Sequence, residues 1–160
     1  MLFFAVLLVA LGVDLYTKHL TLQHLQLGEF IPMGVFDIRH VHNRGAAFGM
    51  LANNGSLFVV VAVVVLVAML GALPRLQRAG AWVVVACALI AGGTVGNLID
   101  RLRFGYVVDF IDFRWWPVFN VADSCICVGV GMLVWKILST PPDSQEHPPS
   151  DSSTATTPPG

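Results

Sequence analysis

The sequence predicts an all-α polytopic membrane protein, four transmembrane helices carrying a small extracytoplasmic domain of β-sheet and loops. Three observations lead there. Of its 160 residues, 56% are hydrophobic and only 12% charged, a balance that ordinary soluble domains of this size do not show. Four stretches, residues 2–20, 57–73, 81–99 and 118–138, reach the roughly 17 to 25 apolar residues that a helix needs to cross a bilayer. The loops between them, 21–56 and 100–117, hold most of the charged and aromatic residues that such a protein would place at a membrane surface.

The first stretch, MLFFAVLLVALG, has no basic region at its start and no small-residue cleavage site before Asp14. It therefore reads as a span rather than a cleavable signal, and it ends on Asp14 and Lys18. The following loop contains EFIPMGVFDIRHVHNRGAAFGM, whose partial alternation puts Phe36, Ile38, His40 and His42 on one side of a strand. A short sheet lying on the membrane surface is expected. Two histidines sharing a face are compatible with a metal, but with no carboxylate or cysteine in register they are expected to be solvated strand residues, and no metal or cofactor is called for.

Spans two and three are nearly free of polar side chains and are joined by PRLQRAG. Gly92 and Gly96, four apart on the third, would let a neighbouring helix come close. The fourth span opens on Asn120 and Asp123, and Tyr106, Trp115 and Trp116 stand just before it as interfacial aromatics. Cys87, Cys125 and Cys127 fall inside spans; residues 125 and 127 point about 200° apart around a helix, which argues against a disulfide or zinc site. Residues 1–138 thus form a four-helix membrane domain. The remainder, 139–160, rich in Pro, Ser and Thr with almost nothing apolar to bury, is expected to be a disordered tail.

Four spans put both termini on one side. Counting basic residues places Arg75, Arg78 and Lys136 on the terminal side and Arg39, Arg44, Arg101, Arg103 and Arg114 on the other, the reverse of the usual bias if the termini are cytoplasmic. Those five arginines are interleaved with acids and polar motifs, so they report on a folded site more than on insertion. With a net charge of −1 and no basic run, nucleic acid is not an expected partner.

The densest polar segment is GNLIDRLRFGYVVDFIDFRWWPVFNVADS, residues 96–124, with Asp100, Asp109, Asp112 and Asp123. A carboxylate beside lipid is costly unless neutralised, paired or retained for chemistry. Asp109 ends GYVVD before the last span and Asp123 lies about one turn inside it, so the two bracket a membrane entry point. Asn120 and Asp123 share a helix face, so the amide could hold one carboxylate while the other approaches from the loop. Two close carboxylates in a half-dry site share a proton, the arrangement of an aspartic protease. The alternative is plain pairing of Asp109 and Asp123 with Arg101, Arg103 or Arg114, and spacing alone does not separate the two readings. Three of the spans and the first loop, however, deliver polar groups to one level: Asp14 and Lys18, Asn43, Asn97, Asp100 and Arg101, Asn120 and Asp123. A bundle built only for stability would place leucine there.

DLYTK (14–18), HNRGAAFGM (42–50), GGTVGNLIDR (92–101), GYVVDFID (105–112) and FNVADS (119–124) resemble, in order, the successive motifs of the bacterial prolipoprotein signal peptidases, the signal peptidase II family. The resemblance covers residues 1–138. It implies an aspartic endopeptidase of the bacterial cytoplasmic (inner) membrane that cuts a prolipoprotein before its lipid-modified cysteine, with membrane lipids around it, both termini cytoplasmic and the active site on the periplasmic or outer side. It makes Asp109 and Asp123 the catalytic dyad and Asn43, Gly45, Asn97, Arg101 and Asn120 residues that line or orient the pocket. Asp14 and Lys18 match the polar motif ending the first helix. Asp100 is expected to pair within the site's support beside Arg101, and Asp112 to lie on the surface. The residues do not decide the oligomeric state; a monomer is the expectation. Two other classes compete: a small proton-coupled carrier, against which stand the absence of an inverted repeat and the clustering of acids at one face, and a four-span scaffold without catalysis.

Overall fold

In the computed structural model, which describes residues 1–45 and 55–140, four helices and a three-stranded sheet follow the order α1 (Leu2–His24), β1 (Phe30–Pro32), β2 (Asp37–Asn43), α2 (Gly55–Arg78), α3 (Ala81–Phe104), β3 (Val107–Asp112) and α4 (Val121–Leu138). The end of the HNRGAAFGM motif and the tail from residue 141 lie outside the described residues. All four helices are long and apolar enough to cross a membrane.

Helix α3 is the centre. More than half of its apolar window is buried, whereas none of that of α2 is, and α1, α2 and α4 all pack on it. Its sequence allows this because Ala86, Ala88, Ala91, Gly92, Gly93 and Gly96 keep the helix thin where neighbours cross. A Cβ on Gly93 would collide with the Ala122 carbonyl oxygen of α4, and one on Gly92 would lie 2.9 Å from the Leu7 carbonyl oxygen of α1. Both α1 and α4 therefore approach α3 backbone to backbone.

The buried residues of α1, Phe3, Ala10, Asp14, Lys18 and Thr21, recur at seven-, four- and three-residue steps and form one stripe. The stripe changes character along its length. Near the chain start Phe3 packs with Val84, Cys87, Ala88 and Ala91 in an apolar core; towards the sheet the same face carries Asp14 and Lys18, both buried.

Four boundaries differ from those read off hydropathy by three residues or more, one of them at α2, which runs through Pro74 to Arg78 and takes in most of the PRLQRAG segment expected to be a turn. Helices α1 and α3 continue to His24 and Phe104, because backbone hydrogen bonding outlasts the apolar run where the helix emerges. Asp100 and Arg101 therefore stand on a helix rather than in a loop, and α3 stops at Gly105, whose φ of 77° is the left-handed conformation that ends helices. Helix α4 starts only at Val121, since Phe119 is still bridged to Ile111 and Asn120 is the N-cap.

The sheet is antiparallel in the order β1-β2-β3. Its third strand, VVDFID, comes from the segment expected to be loop; β-branched and aromatic residues suit a strand, and β2 supplies the edge to pair with. The alternation expected along β2 is interrupted by a bulge between Ile38 and Val41, so Phe36, Ile38, His40 and His42 do not keep one common face. Nor are the histidines simply solvated. His40 is buried, its Nδ1–H donating to the Leu25 carbonyl at 3.0 Å, and its Nε2 lies 3.1 Å from that of His42. His42 stacks on Tyr106, which stacks in turn on Phe104, and burial pulls the His42 pKa down.

Candidate active site

Where α4 begins, five elements, α1, β2, α3, β3 and α4, bring polar side chains together. Asn120 is the N-cap of α4: its Oδ1 accepts the Asp123 N–H at 2.9 Å, and the Asp123 carboxylate accepts the Asn120 N–H at 3.3 Å, a reciprocal capping box. With its Oδ1 committed to the helix, the Asn120 amide must point its NH₂ elsewhere. That group donates to Asp109 Oδ1 at 2.7 Å and to Asn97 Oδ1 at 3.1 Å. Asp109 on β3 and Asp123 on α4 are thus held from the same asparagine.

Each carboxylate has a second amide. Asn43 Nδ2 donates to Asp109 Oδ2 at 2.8 Å, and Asn97 Nδ2 donates to Asp123 Oδ1 at 2.7 Å. The Asn43 amide is oriented by Gly45, whose N–H donates to Asn43 Oδ1 at 3.1 Å. Asn97 is oriented by Lys18, whose buried ammonium lies 3.0 Å from Asn97 Oδ1, 2.8 Å from Asp14 Oδ2 and 3.0 Å from Asp100 Oδ2. The ammonium thus donates a hydrogen bond to Asn97 and forms ion pairs with both Asp14 and Asp100. Asp14 Oδ1 accepts the Ala122 N–H at 2.8 Å, so α1 caps α4 from outside, and Asp100 Oδ2 accepts the Val108 N–H at 3.1 Å, so α3 fixes β3. Gly96 makes room for the Asp14 carboxylate, which a Cβ there would strike.

Asp109 is buried while Asp123 is half-buried. Burial, and then the neighbouring Asp123, push the Asp109 carboxyl up to about 7 against the opposing hydrogen bonds from Asn43 and Asn120. Among the described residues, no lysine or arginine makes an ion pair with Asp109 or Asp123. Arg101 Nη1 donates to the Asn97 carbonyl at 3.3 Å and its guanidinium sits 5.0 Å from the centre of the Phe58 ring of α2. The arrangement leaves two neighbouring carboxylates oriented by neutral amides.

Of the residues singled out in the sequence, Asp14, Lys18, Asn43, Gly45, Asn97, Asp109, Asn120 and Asp123 belong to this one hydrogen-bonded assembly, and Arg101 stands at its side. Asp100 pairs within the site's support, with Lys18 as its partner, because residues three apart on α3 share a face and Asp100 follows Asn97 by three. One expectation is corrected. Asp112 is not a surface residue: it is buried, accepting the Arg114 N–H at 2.7 Å and lying 3.4 Å from Arg39 Nη1. Asp37, Arg39 and Arg114, not singled out as a group, form a second charged cluster with it. The only trace of that cluster in the sequence is the recurrence of Asp and Arg in both loops.

A family model described as signal peptidase (SPase) II matches residues 6–139. The chain is 45% identical over 138 residues to a lipoprotein signal peptidase of Moorella thermoacetica, covering 85% of this chain and 92% of that protein. It is 48% identical over 144 residues to one of Syntrophotalea carbinolica, covering 84% and 88%. A solved bacterial membrane enzyme structure, obtained by the in meso method, superposes with a TM-score of 0.79 at 27% identity over 86% of this chain and 92% of that one.

Proposed function

The chain belongs to the signal peptidase II family, and on that footing we propose that it is an aspartic endopeptidase working inside the membrane, with Asp109 and Asp123 as its dyad. Its substrates are prolipoproteins, cut just before the lipid-modified cysteine. The observation that carries the reading is the bridging of Asp109 and Asp123 by Asn120 at the sheet end of a membrane bundle, with no cation pairing either acid among the described residues.

The two acids have different settings, and their roles follow from it. Asp109, with its carboxyl near 7, holds the shared proton at neutral pH and donates it to the scissile carbonyl oxygen. Asp123 stands in the first turn of α4, where the positive end of the helix dipole favours negative charge. It takes a proton from the attacking water, whose oxygen bonds to the carbonyl carbon. Collapse of the resulting tetrahedral diol breaks the C–N bond, and the departing amine is protonated as the dyad returns to its starting state. Asn43, Asn97 and Asn120 hold the acids in position without cancelling their charge, and Lys18 keeps Asn97 from turning over.

Asp123 stands in the first turn of α4, two residues or about 3 Å past its start, with Asp109 beside it on β3, so the scissile bond is presented at the level where α4 begins. Acyl chains held in lipid would fix the substrate at one height, each buried CH₂ contributing about 0.8 kcal/mol, and so cut the entropic cost of alignment. We place the termini in the cytoplasm and the sheet end on the outer side, with the enzyme acting as a monomer. The test is incubation of the purified protein with a diacylated prolipoprotein and its unmodified counterpart at equal concentration in one detergent, followed by mass analysis. Cleavage before the modified cysteine, much faster for the diacylated form, is expected; equal rates would remove the depth argument, and no cleavage of either the proposed activity.

A further inference from the structure

On the sheet, away from the dyad, a cavity of about 370 Å³ is lined by Phe30, Asp37, Arg39, Asp112, Arg114, Trp116, Pro117 and Val118. Val118 precedes α4 by three residues, which puts the cavity at the height where that helix enters the membrane. Its surroundings suit a lipid surface: Trp115 and Val35 are about four-fifths exposed, and Met33, Phe30 and Trp116 more than half.

The charges in the cavity cancel, two arginines against two aspartates. Arg114 donates from Nε and Nη2 to both oxygens of Asp37, at 2.9 and 2.6 Å, and from Nη2 to the Gly34 carbonyl at 3.1 Å. That guanidinium holds the Asp37 carboxyl below the usual range. Arg39 reaches Asp112 only at 3.4 Å. The two arginine side chains are nonetheless about half exposed, at 47% and 54%, and among the described residues Arg114 Nη1 and the Nε and Nη2 of Arg39 make no hydrogen bond. Arg114 is held at a φ of 68°, a conformation that favours glycine, so the chain keeps a guanidinium there at a local cost.

We propose that this cavity is a headgroup site for a zwitterionic phospholipid bearing a primary amine, its phosphate taken by Arg39 and Arg114 and its ammonium by Asp37 and Asp112. The unspent guanidinium donors suit a phosphate. A purely anionic headgroup would set a net negative charge beside two carboxylates with nothing to balance it. A choline headgroup balances the charge but has no N–H to donate to them. An occupant here would anchor the sheet, and β3 with it, at a constant height over the bilayer.

The full-length protein in detergent micelles would be mixed with phosphatidylethanolamine, phosphatidylcholine and phosphatidylglycerol of identical acyl chains, and the retained lipid identified by native mass spectrometry. Retention of the ethanolamine lipid about tenfold above the other two is expected, as for the loss of one charge-assisted hydrogen bond. Arg39→Gln, whose ion pair is the longer one, should lower retention of all three lipids, since each carries the phosphate, with an unchanged melting temperature, whereas Asp112→Asn should abolish the preference for the ethanolamine lipid; Arg103→Gln should change neither. Equal retention of the three lipids, retention untouched by Arg39→Gln, or a preference untouched by Asp112→Asn overturns the proposal. So does displacement of the lipid by an equal concentration of soluble glycerophosphoethanolamine, which would mark a solute site. A raised KM for substrate peptide in Arg39→Gln, measured without phospholipid, would assign the cavity to the peptide and overturn it too.

Discussion

Carboxylates are held by amides where α1, α3 and α4 meet the ends of β2 and β3, and by guanidiniums elsewhere on the sheet. In the first region Asn43, Asn97 and Asn120 donate to Asp109 and Asp123, and the one ammonium, on Lys18, is spent on Asp14, Asp100 and Asn97. In the second, Arg114 and Arg39 face Asp37 and Asp112 directly. A guanidinium neutralises the acid beside it and leaves no proton to exchange near neutral pH; an amide orients an acid and leaves its charge state free to change. Burial pushes both acids the same way and the partner decides the outcome: Asp109 rises to about 7, while Asp37 stays below the ordinary range because the Arg114 guanidinium in contact with it outweighs burial. A site for proton transfer and a site for structure or charge recognition can thus be built from the same residue types.

The sharpest way to break this contrast is to remove exchangeable protons from the amide-held acids. Asp109→Asn and Asp123→Asn should each lower the cleavage rate by about 100-fold or more with the protein still folded; near-normal turnover by either, in the mass-resolved cleavage assay, would end the dyad assignment. Lys18→Met attacks the one cation of that region. It leaves Asp14 and Asp100 buried without a counter-charge, and a loss of about 3–5 kcal/mol of stability is expected, read as a lower melting temperature in detergent.

Gly93→Ala tests whether the close approach of α3 and α4 is what puts Asn97 beside Asp123. The added methyl meets the Ala122 carbonyl oxygen, and overpacking of this kind costs about 1–3 kcal/mol. Melting temperature and cleavage rate should fall together; a stable but inactive variant would mean that the helices had reseated. The pH profile probes the proton itself. Because Asp109 is raised to about 7, its protonated form contributes stability that is fully present below about pH 4 and is lost as the pH rises through about 7. Cleavage should follow the same limb, falling about tenfold per pH unit above 7, and a rate still flat at pH 9 would contradict the role given to Asp109. The smallest effect belongs to the guanidinium-held region. Asp37→Asn should shift the melting temperature less than Gly93→Ala does and leave cleavage in detergent unchanged, because the pair is half open to solvent and screened.

Much of the bundle could be read from single residues and their spacing. Hydropathy marked four spans, the step of four between Asp14 and Lys18 put both on one face of α1, and the step of three between Asn120 and Asp123 anticipated a shared turn of α4. These are properties of a chain a few residues long, and helix geometry converts them directly into positions. What depended on the tertiary structure is every partner at long range. Lys18 meets Asn97 across 79 residues, Asp14 meets the Ala122 N–H across 108, and Arg114 meets Asp37 across 77. Asp112 was misplaced for that reason, and β3 was missed because a strand exists only where another strand offers it an edge. Nor does the sequence say which acid is buried. The Asp109 and Asp123 side chains are chemically identical, and their difference comes from the depth of packing and from the amides that reach each one, quantities fixed only when α1, α3 and α4 close on one another.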